Sequence, residues 1–188
     1  MGCITACAQD LPAAAVYACV PEVMKGGIRA LAFMKCDASF DDTPSGISSV
    51  ASWEALVTSG DLVFSGDILG AKPKGSSTSL RTASCSPERV TARVQTITFK
   101  DYNADLTSLA HYDFWITIQE NFAAYKLLYI TCEGYAYGTF ENKTWSLDID
   151  DVREETSEAP LYIDGSITIT KLLMTKPVLV PGLLDILP

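Results

Sequence analysis

Alternating apolar and polar residues dominate the second half of the chain and predict β-strands there. Residues 145–152 have an apolar face of Trp145, Leu147 and Ile149 and a polar face of Ser146, Asp148 and Asp150. Because successive side chains of a strand point to opposite faces, this pattern is typical of a half-buried strand. Residues 161–170 repeat it, and β-branched residues predict another strand at 90–100. Shorter apolar runs predict strands at 28–34, 127–132 and 135–140.

One segment follows helical spacing instead. Between residues 108 and 125, apolar side chains recur every three or four positions, at Leu109, Tyr112, Trp115, Ile116 and Phe122. A shorter helix is predicted at 53–58, ended by Gly60. The order of strands, helix and further strands predicts a mainly β protein, a β-sandwich or barrel with one packed α-helix at about 108–125.

Two segments of the chain are polar, and in one predicted strand the apolar residues shift from even-numbered to odd-numbered positions. Residues 37–48 and 70–79 are rich in Asp, Ser, Pro and Gly, which predicts surface loops. In residues 90–100 the apolar positions switch parity near Gln95, which predicts a β-bulge there.

Both ends of the chain are apolar but contain helix-breaking residues. We therefore divide the chain into an N-terminal arm (1–27), a β-rich domain (28–171) and a C-terminal arm (172–188). Arms of this kind either dock onto neighbouring subunits, which we favour, or wrap around their own domain. The side chains expected at such oligomer contacts are Leu11, Val16, Tyr17, Val20, Leu172, Leu173, Val178, Leu179, Val180, Leu183, Leu184, Ile186 and Leu187.

Length and charge narrow the class of protein. The 188 residues suit one domain, and 14 basic against 23 acidic residues give a formal net charge of −9. This acidity argues against a protein that grips nucleic acid, which needs a basic surface. No apolar run predicts a transmembrane helix, and the first residues lack the pattern of a secretory signal.

The acidic excess is concentrated in one segment. Residues 141–164 hold 8 acidic and 2 basic residues. The acidic face predicted there comprises Asp148, Asp150, Asp151, Glu154, Glu155 and Glu158. It is either a solvated sheet face or, in an assembly, the lining of a channel past which DNA moves without being bound.

The residues that could act in catalysis or bind a metal ion do not form a known motif. His111 is the only histidine, and its neighbours Tyr112 and Asp113 point in different directions on a helix. Asp148, Asp150 and Asp151 resemble a hard-cation site but lack the EF-hand spacing. The pair Cys3 and Cys7 has too few partners for zinc. We therefore predict no catalytic residue, no metal site and no cofactor.

Several stretches resemble virion structural proteins of tailed phages, including the crAss-like group. They are the leader with Cys3, Cys7 and Cys19 before Gly26-Gly27-Ile28, the run Trp53…Gly60…Gly70-x-Lys72-Pro73, Ala83-Ser84-Cys85-Ser86-Pro87-Glu88, Thr98-Phe99-x-Asp101-Tyr102-Asn103, and Tyr129-x-Thr131-Cys132-x-Gly134. The resemblance implies a virion component. Tail-tube and neck-ring proteins are β-sandwich or barrel subunits with a flanking helix and extended arms, assembled around a DNA channel.

Three hypotheses of function follow from these observations. The first is a tail-tube or neck-ring subunit: a homo-oligomer that contacts other virion proteins, lets DNA pass, touches no membrane and is assembled in the host cytoplasm. The second is a capsid decoration protein. The third is a receptor- or carbohydrate-binding β-domain that stacks sugars on Trp53, Trp145, Tyr135 or Tyr137. An enzyme would need an activity that is lost on His111→Ala.

Overall fold

The structure, a computed structural model, describes residues 27–80, 89–103, 109–141, 144–153, 161–170 and 176–188. The strands are β1 (Ile28–Lys35), β2 (Leu62–Phe64), β3 (Leu69–Ala71), β4 (Ser76–Leu80), β5 (Arg89–Asp101), β6 (Tyr125–Thr131), β7 (Tyr135–Phe140), β8 (Trp145–Val152), β9 (Tyr162–Thr170) and β10 (Val178–Leu179). The α-helices are α1 (Pro44–Ile47), α2 (Val50–Ser59) and α3 (Ala110–Asn121), and short 3-10 turns cover Phe122–Ala124 and Leu183–Asp185.

The strands form one antiparallel sheet that curls around α3. The order is β10-β7-β6-β1-β3-β5-β9-β8, with β2 paired to β1 and β4 paired to β5. Trp145 at the start of β8 donates its indole N–H to the Tyr125 carbonyl of β6 at 3.2 Å. Strands β6 and β8 are far apart in the strand order, so this bond shows that they meet across the core. Trp115 of α3 lies between them, with ring centroids 4.8 Å from Phe99 and 6.1 Å from Phe33. The predicted fold class, a mainly β sandwich or barrel with a packed helix, is confirmed.

Strands β1 and β6 are buried on both faces, which divides the hydrophobic interior in two. Leu31 and Phe33 of β1 point into a main core shared with α3, β5, β8 and β9. The alternate residues Ala32 and Met34 point into a second core that includes Trp53 of α2. A change of register between Ile28 and Ala30 in the β1–β6 pairing places Ile28 on the main-core side despite its even number.

The long helix is shorter than its sequence pattern predicted. It begins at Ala110 and ends at Asn121, because the next residues tighten into a 3-10 turn and Tyr125 already pairs with Lys35 of β1. Trp115 and Ile118 are its buried residues, whereas Leu109 is 58% and Ile116 48% exposed. The apolar stripe that faces the core is therefore narrower than the spacing predicted.

The predicted loop at 70–79 is wrong for most of its length. Leu69–Ala71 and Ser76–Leu80 are strands, both paired to the same side of β5. These strands are rich in serine and threonine, whose side chains tolerate exposed positions in a sheet. The same composition is typical of loops, so it did not indicate strands. Within predicted loop 37–48, residues 44–47 form α1, which starts at the N-cap Thr43 with Pro44 in its first turn.

The bulge predicted near Gln95 is also misplaced. Pairing between β5 and β9 runs without a shift from Val94 to Asp101. The irregularity lies in the β4–β5 pairing instead, between Thr78 and Ser79. Gln95 simply takes an inward position on the same face as Ile97 and Phe99, and only 9% of it is exposed.

Candidate functional site

The outer face of β8 and β9 carries carboxylates that have no basic partner. Asp148 and Asp150 of β8 and Asp164 of β9 are all exposed, and Asp150 lies directly opposite Asp164 in the register. Within the described part of the chain none of the three is in an ion pair. We call these three residues the acidic face.

The sequence-predicted acidic residues therefore separate into three groups. Asp148 and Asp150 lie on the acidic face as the alternation predicted. Asp151 instead contacts Arg153, whose Nη2 is 3.2 Å from Asp151 Oδ2. Glu154, Glu155 and Glu158 lie outside the described residues. Asp164 lies in the acidic segment 141–164 and is not among the predicted residues of the face; the signal that indicates it is the alternation of residues 161–170, which places it on the polar side.

One described cation borders this surface. Lys100 of β5 is the cross-strand partner of Asp164 on its other side. Its Nζ lies 4.2 Å from the centroid of the Tyr162 ring, a cation–π distance, and it forms no ion pair with Asp164. The hydrogen bond with Tyr162 and then nearby charges, including that of Asp164, raise the pKa of Lys100, so Asp164 is partly compensated, whereas Asp148 and Asp150 have no ion pair among the described residues.

Removing one charge from this face should stabilise the chain. Like charges directly opposite each other in a sheet are destabilising by roughly 0.2–1 kcal/mol. We expect Asp150→Asn to raise the free energy of unfolding by about 0.5 kcal/mol in urea denaturation at low salt, and we expect this gain to shrink in 1 M salt. The matched control is Asp148→Asn, because Asp148 faces Ser166 rather than a carboxylate. Equal effects of the two changes would contradict the pairwise repulsion.

A second polar group lies inside the molecule, at the end of β5. The Asp101 carboxylate has no exposed surface and accepts the indole N–H of Trp115 at 2.8 Å. It also accepts the backbone N–H of Asn103 at 2.9 Å and the side-chain amide of Asn103 at 2.8 Å. His111 Nδ1 lies 3.5 Å from the same carboxylate. This network ties the end of β5 to the first turns of α3.

His111 therefore has an acidic partner that its sequence neighbours did not reveal. The chain neighbour Asp113 is exposed on another side of the helix. The available signal was the alternation of β5, since Asp101 continues the inward positions of Ile97 and Phe99. Ser65 lines the cavity beside His111, but its hydroxyl donates to the Gly66 carbonyl and accepts the Leu31 N–H. The structure brings together a histidine and a carboxylate, but the hydroxyl of the nearby Ser65 is already hydrogen-bonded to backbone groups.

The C-terminal segment packs on its own domain. Val180 and Leu183 are 1% and 0% exposed in the second core, and β10 pairs with β7. Val178, Leu184, Ile186 and Leu187 pack partly buried against the same core. Val180 and Leu183 are thus covered by their own chain, and the role of the other side chains of this arm as oligomer contacts stays a prediction. Of the predicted contacts in 176–188, Leu179 keeps a largely exposed side chain, at 47%. Leu11, Val16, Tyr17, Val20, Leu172 and Leu173 lie outside the described residues.

The tryptophans proposed as sugar-stacking platforms are core residues. Trp53 is 0% and Trp145 3% exposed, and both indole N–H groups donate to backbone carbonyls. Tyr137 stacks on Tyr129 with ring centroids 4.7 Å apart, and Tyr135 is half-buried. These positions leave no exposed tryptophan in the described part of the chain.

The cysteines in the described part of the chain are not arranged to bind a metal ion. Cys36 and Cys132 are free, and burial raises the pKa of the Cys36 thiol. Cys3, Cys7, Cys19 and Cys85 lie outside the described residues. Within the described ranges, no group of three or more His, Cys, Asp or Glu side chains is placed to hold a metal ion. The described helices are also too short or too polar to span a membrane.

Comparison with known proteins gave no match. No protein-family model matches the chain, and neither the curated proteins nor the solved structures gave a significant match.

Proposed function

We propose that this chain is a structural subunit of a tailed-phage virion, which assembles into tail-tube or neck rings with its acidic face turned toward the DNA channel. The observation that carries the proposal is the acidic face, which has no ion pair among the described residues and in which Asp150 and Asp164 are directly opposed at a cost in stability. Residues that break a local rule of folding are expected where function requires them.

The physical role of such a face follows from the charge of DNA. Proteins that hold DNA neutralise its phosphates with Lys and Arg and release counterions. A lining of carboxylates does the opposite, because it repels phosphates over about one Debye length, roughly 8–10 Å at physiological salt. DNA then passes without being held at any point of the wall. The rigid curled sheet supports the carboxylates, since β9 pairs with both β5 and β8 along its length.

Electron microscopy of the purified protein combined with a charge reversal tests this proposal. We expect rings from the wild-type chain that retain no DNA, and rings of the double variant Asp148→Lys/Asp150→Lys that protect a bound DNA segment from nuclease. The matched control is Asp113→Lys/Glu120→Lys, which makes the same change in charge on the exposed side of α3. DNA bound on the outside of a ring stays open to nuclease, so the control should give no protection.

The same images separate the proposal from its rivals. Copies placed on a capsid lattice would favour the decoration protein instead. A wild-type chain that forms no ring at any soluble concentration, and that labels neither tail nor neck in virions, contradicts the proposed function. Equal nuclease protection by the two variants would contradict the orientation of the acidic face.

A further inference from the structure

Three basic side chains gather at one end of the sheet without an acidic partner. Lys72 and Lys74 lie in the link between β3 and β4, and Arg93 of β5 pairs with Ser77, the second residue of β4. Burial, and then the nearby charge of Arg93, lower the pKa of the Lys72 ammonium group. Among the described residues none of these three side chains forms an ion pair. We call them the basic cluster.

Next to the basic cluster, the described pairing of β4 with β5 continues past the last described pair of β5 and β9. The described pairing of β9 with β5 ends at Thr170 opposite Val94, whereas β4 continues along β5 as far as Arg89. The chain needs a glycine where it enters β4, because a Cβ on residue 75 would overlap the Val94 carbonyl oxygen. Among the described residues, β4 and β5 are the strands that pair over this stretch, and a two-stranded pair gains stability when another surface covers it.

An acidic loop lies at the other end of β1. Asp37, Asp41 and Asp42 are exposed there, Glu54 is exposed on α2 next to Trp53, and none of the four forms an ion pair within the described ranges. The loop is held in place by Phe40, whose ring centroid lies 5.6 Å from that of Trp53. Hydrogen bonds from Thr43 lower the pKa of Asp41, so this carboxylate stays charged. We call these four residues the acidic loop.

The two charged regions lie at opposite ends of one strand. Lys72 comes two residues after Gly70, which pairs with Ile28 at the start of β1. Asp37 comes two residues after Lys35, where β1 ends. A strand rises about 3.3 Å per residue, so the 8 residues of β1 separate these regions by roughly 26 Å. They are too far apart to neutralise each other within one copy.

We infer that the basic cluster of one copy binds the acidic loop of the next copy, which gives a head-to-tail contact. This inference rests on the proposed function, since it names the surfaces through which the subunits assemble. Different surfaces on the two partners form a ring when the rotation closes and a filament when it does not. Charge complementarity of this kind fixes orientation and speeds association. Assembly should therefore weaken as salt rises.

Two complementary charge reversals test this contact. The first variant carries Lys72→Glu, Lys74→Glu and Arg93→Glu, so that both surfaces are acidic. The second carries Asp37→Lys, Asp42→Lys and Glu54→Lys, so that both are basic; Asp41 is kept because it packs against Gly46 and accepts the Thr43 N–H. Sedimentation velocity should show at least a tenfold higher concentration for assembly of each variant alone. An equimolar mixture should assemble at nearly the wild-type concentration, because each copy then meets an opposite charge.

The controls keep the inference separate from the proposed function. Circular dichroism of each variant verifies folding, and Lys72→Arg/Lys74→Arg should assemble like the wild type. Wild-type assembly together with unchanged assembly of both reversed variants overturns this contact and leaves the proposed function standing. A wild-type chain that stays monomeric overturns this contact, and it contradicts the proposed function as well when it also labels neither tail nor neck in virions. Normal assembly of the first variant with loss of binding to duplex DNA would assign the basic cluster to nucleic acid and overturn the inference.

Discussion

Replacing Asp101 with alanine should lower the free energy of unfolding by about 3 kcal/mol. The substitution leaves the Trp115 indole N–H without its buried acceptor, whereas the exposed side-chain amide of Asn103 keeps the Asp67 carbonyl as a second acceptor. Each buried polar group that loses its partner costs about 1–3 kcal/mol, and bonds to charged groups are at the upper end. Trp115 is 1% exposed, so water does not replace the lost bond.

Urea denaturation followed by circular dichroism measures this effect. Asp101→Asn keeps the size of the side chain and one acceptor oxygen, so we expect a smaller loss of about 1–2 kcal/mol. The matched control is Asp113→Ala, an exposed carboxylate on the same helix as His111, which should stay within about 0.5 kcal/mol of the wild type. A loss below about 1 kcal/mol for Asp101→Ala would show that the network does not hold β5 to α3.

The second large effect is expected from Gly165→Ala. A Cβ at this position of β9 would stand 2.2 Å from Cζ of Phe99, far inside van der Waals contact. Phe99 cannot retreat, because it is 1% exposed and stacks on Trp115 with centroids 4.8 Å apart. Overpacking a filled core costs typically 1–3 kcal/mol, and both rings are rigid here, so we expect about 3 kcal/mol.

A double-mutant cycle separates this clash from a general loss of stability. In the Phe99→Leu background, Gly165→Ala should cost clearly less, since the smaller side chain makes room for the Cβ. Gly60→Ala is the control for backbone conformation: Gly60 has φ of +74° and no neighbour within 4 Å of a Cβ, and its loss should be about 1 kcal/mol. Additive effects of the Phe99 and Gly165 changes would rule out the steric explanation.

The changes at Asp101 and Gly165 both affect the inner face of the sheet, which packs against α3. The proposed contacts with DNA and with the next copy use the outer face and the ends of the sheet. Asp101 and Gly165 set the distance between α3 and the sheet, and Asp148, Asp150 and Asp164 lie on strands that this core supports. Stability and assembly are therefore separable. Reversing the acidic loop or the basic cluster should change association while the core keeps its fold.

Local patterns in the sequence were sufficient to predict most strands and to place two carboxylates of the acidic face on the exposed side of a strand. Strand alternation repeats every two residues and needs no long-range contact, so residues 145–152 were placed with the structural bounds. The same alternation put Asp148 and Asp150 on the exposed side. The bounds of α3 were less well predicted, because the pairing of Tyr125 with Lys35 ends the helix earlier than its own spacing indicates.

Only the tertiary structure decided which distant residues meet. The alternation of β5 made Asp101 an inward residue, but its contact with His111 depends on how α3 returns across the sheet. The opposition of Asp150 and Asp164 depends on the register between two strands, and a slip of one residue would remove it. The burial of Val180 and Leu183 depends on a second core that α2 and β6 complete. A sequence determines which face of each element is apolar, because that property is local; which partner covers the face is set by packing between segments far apart in the chain.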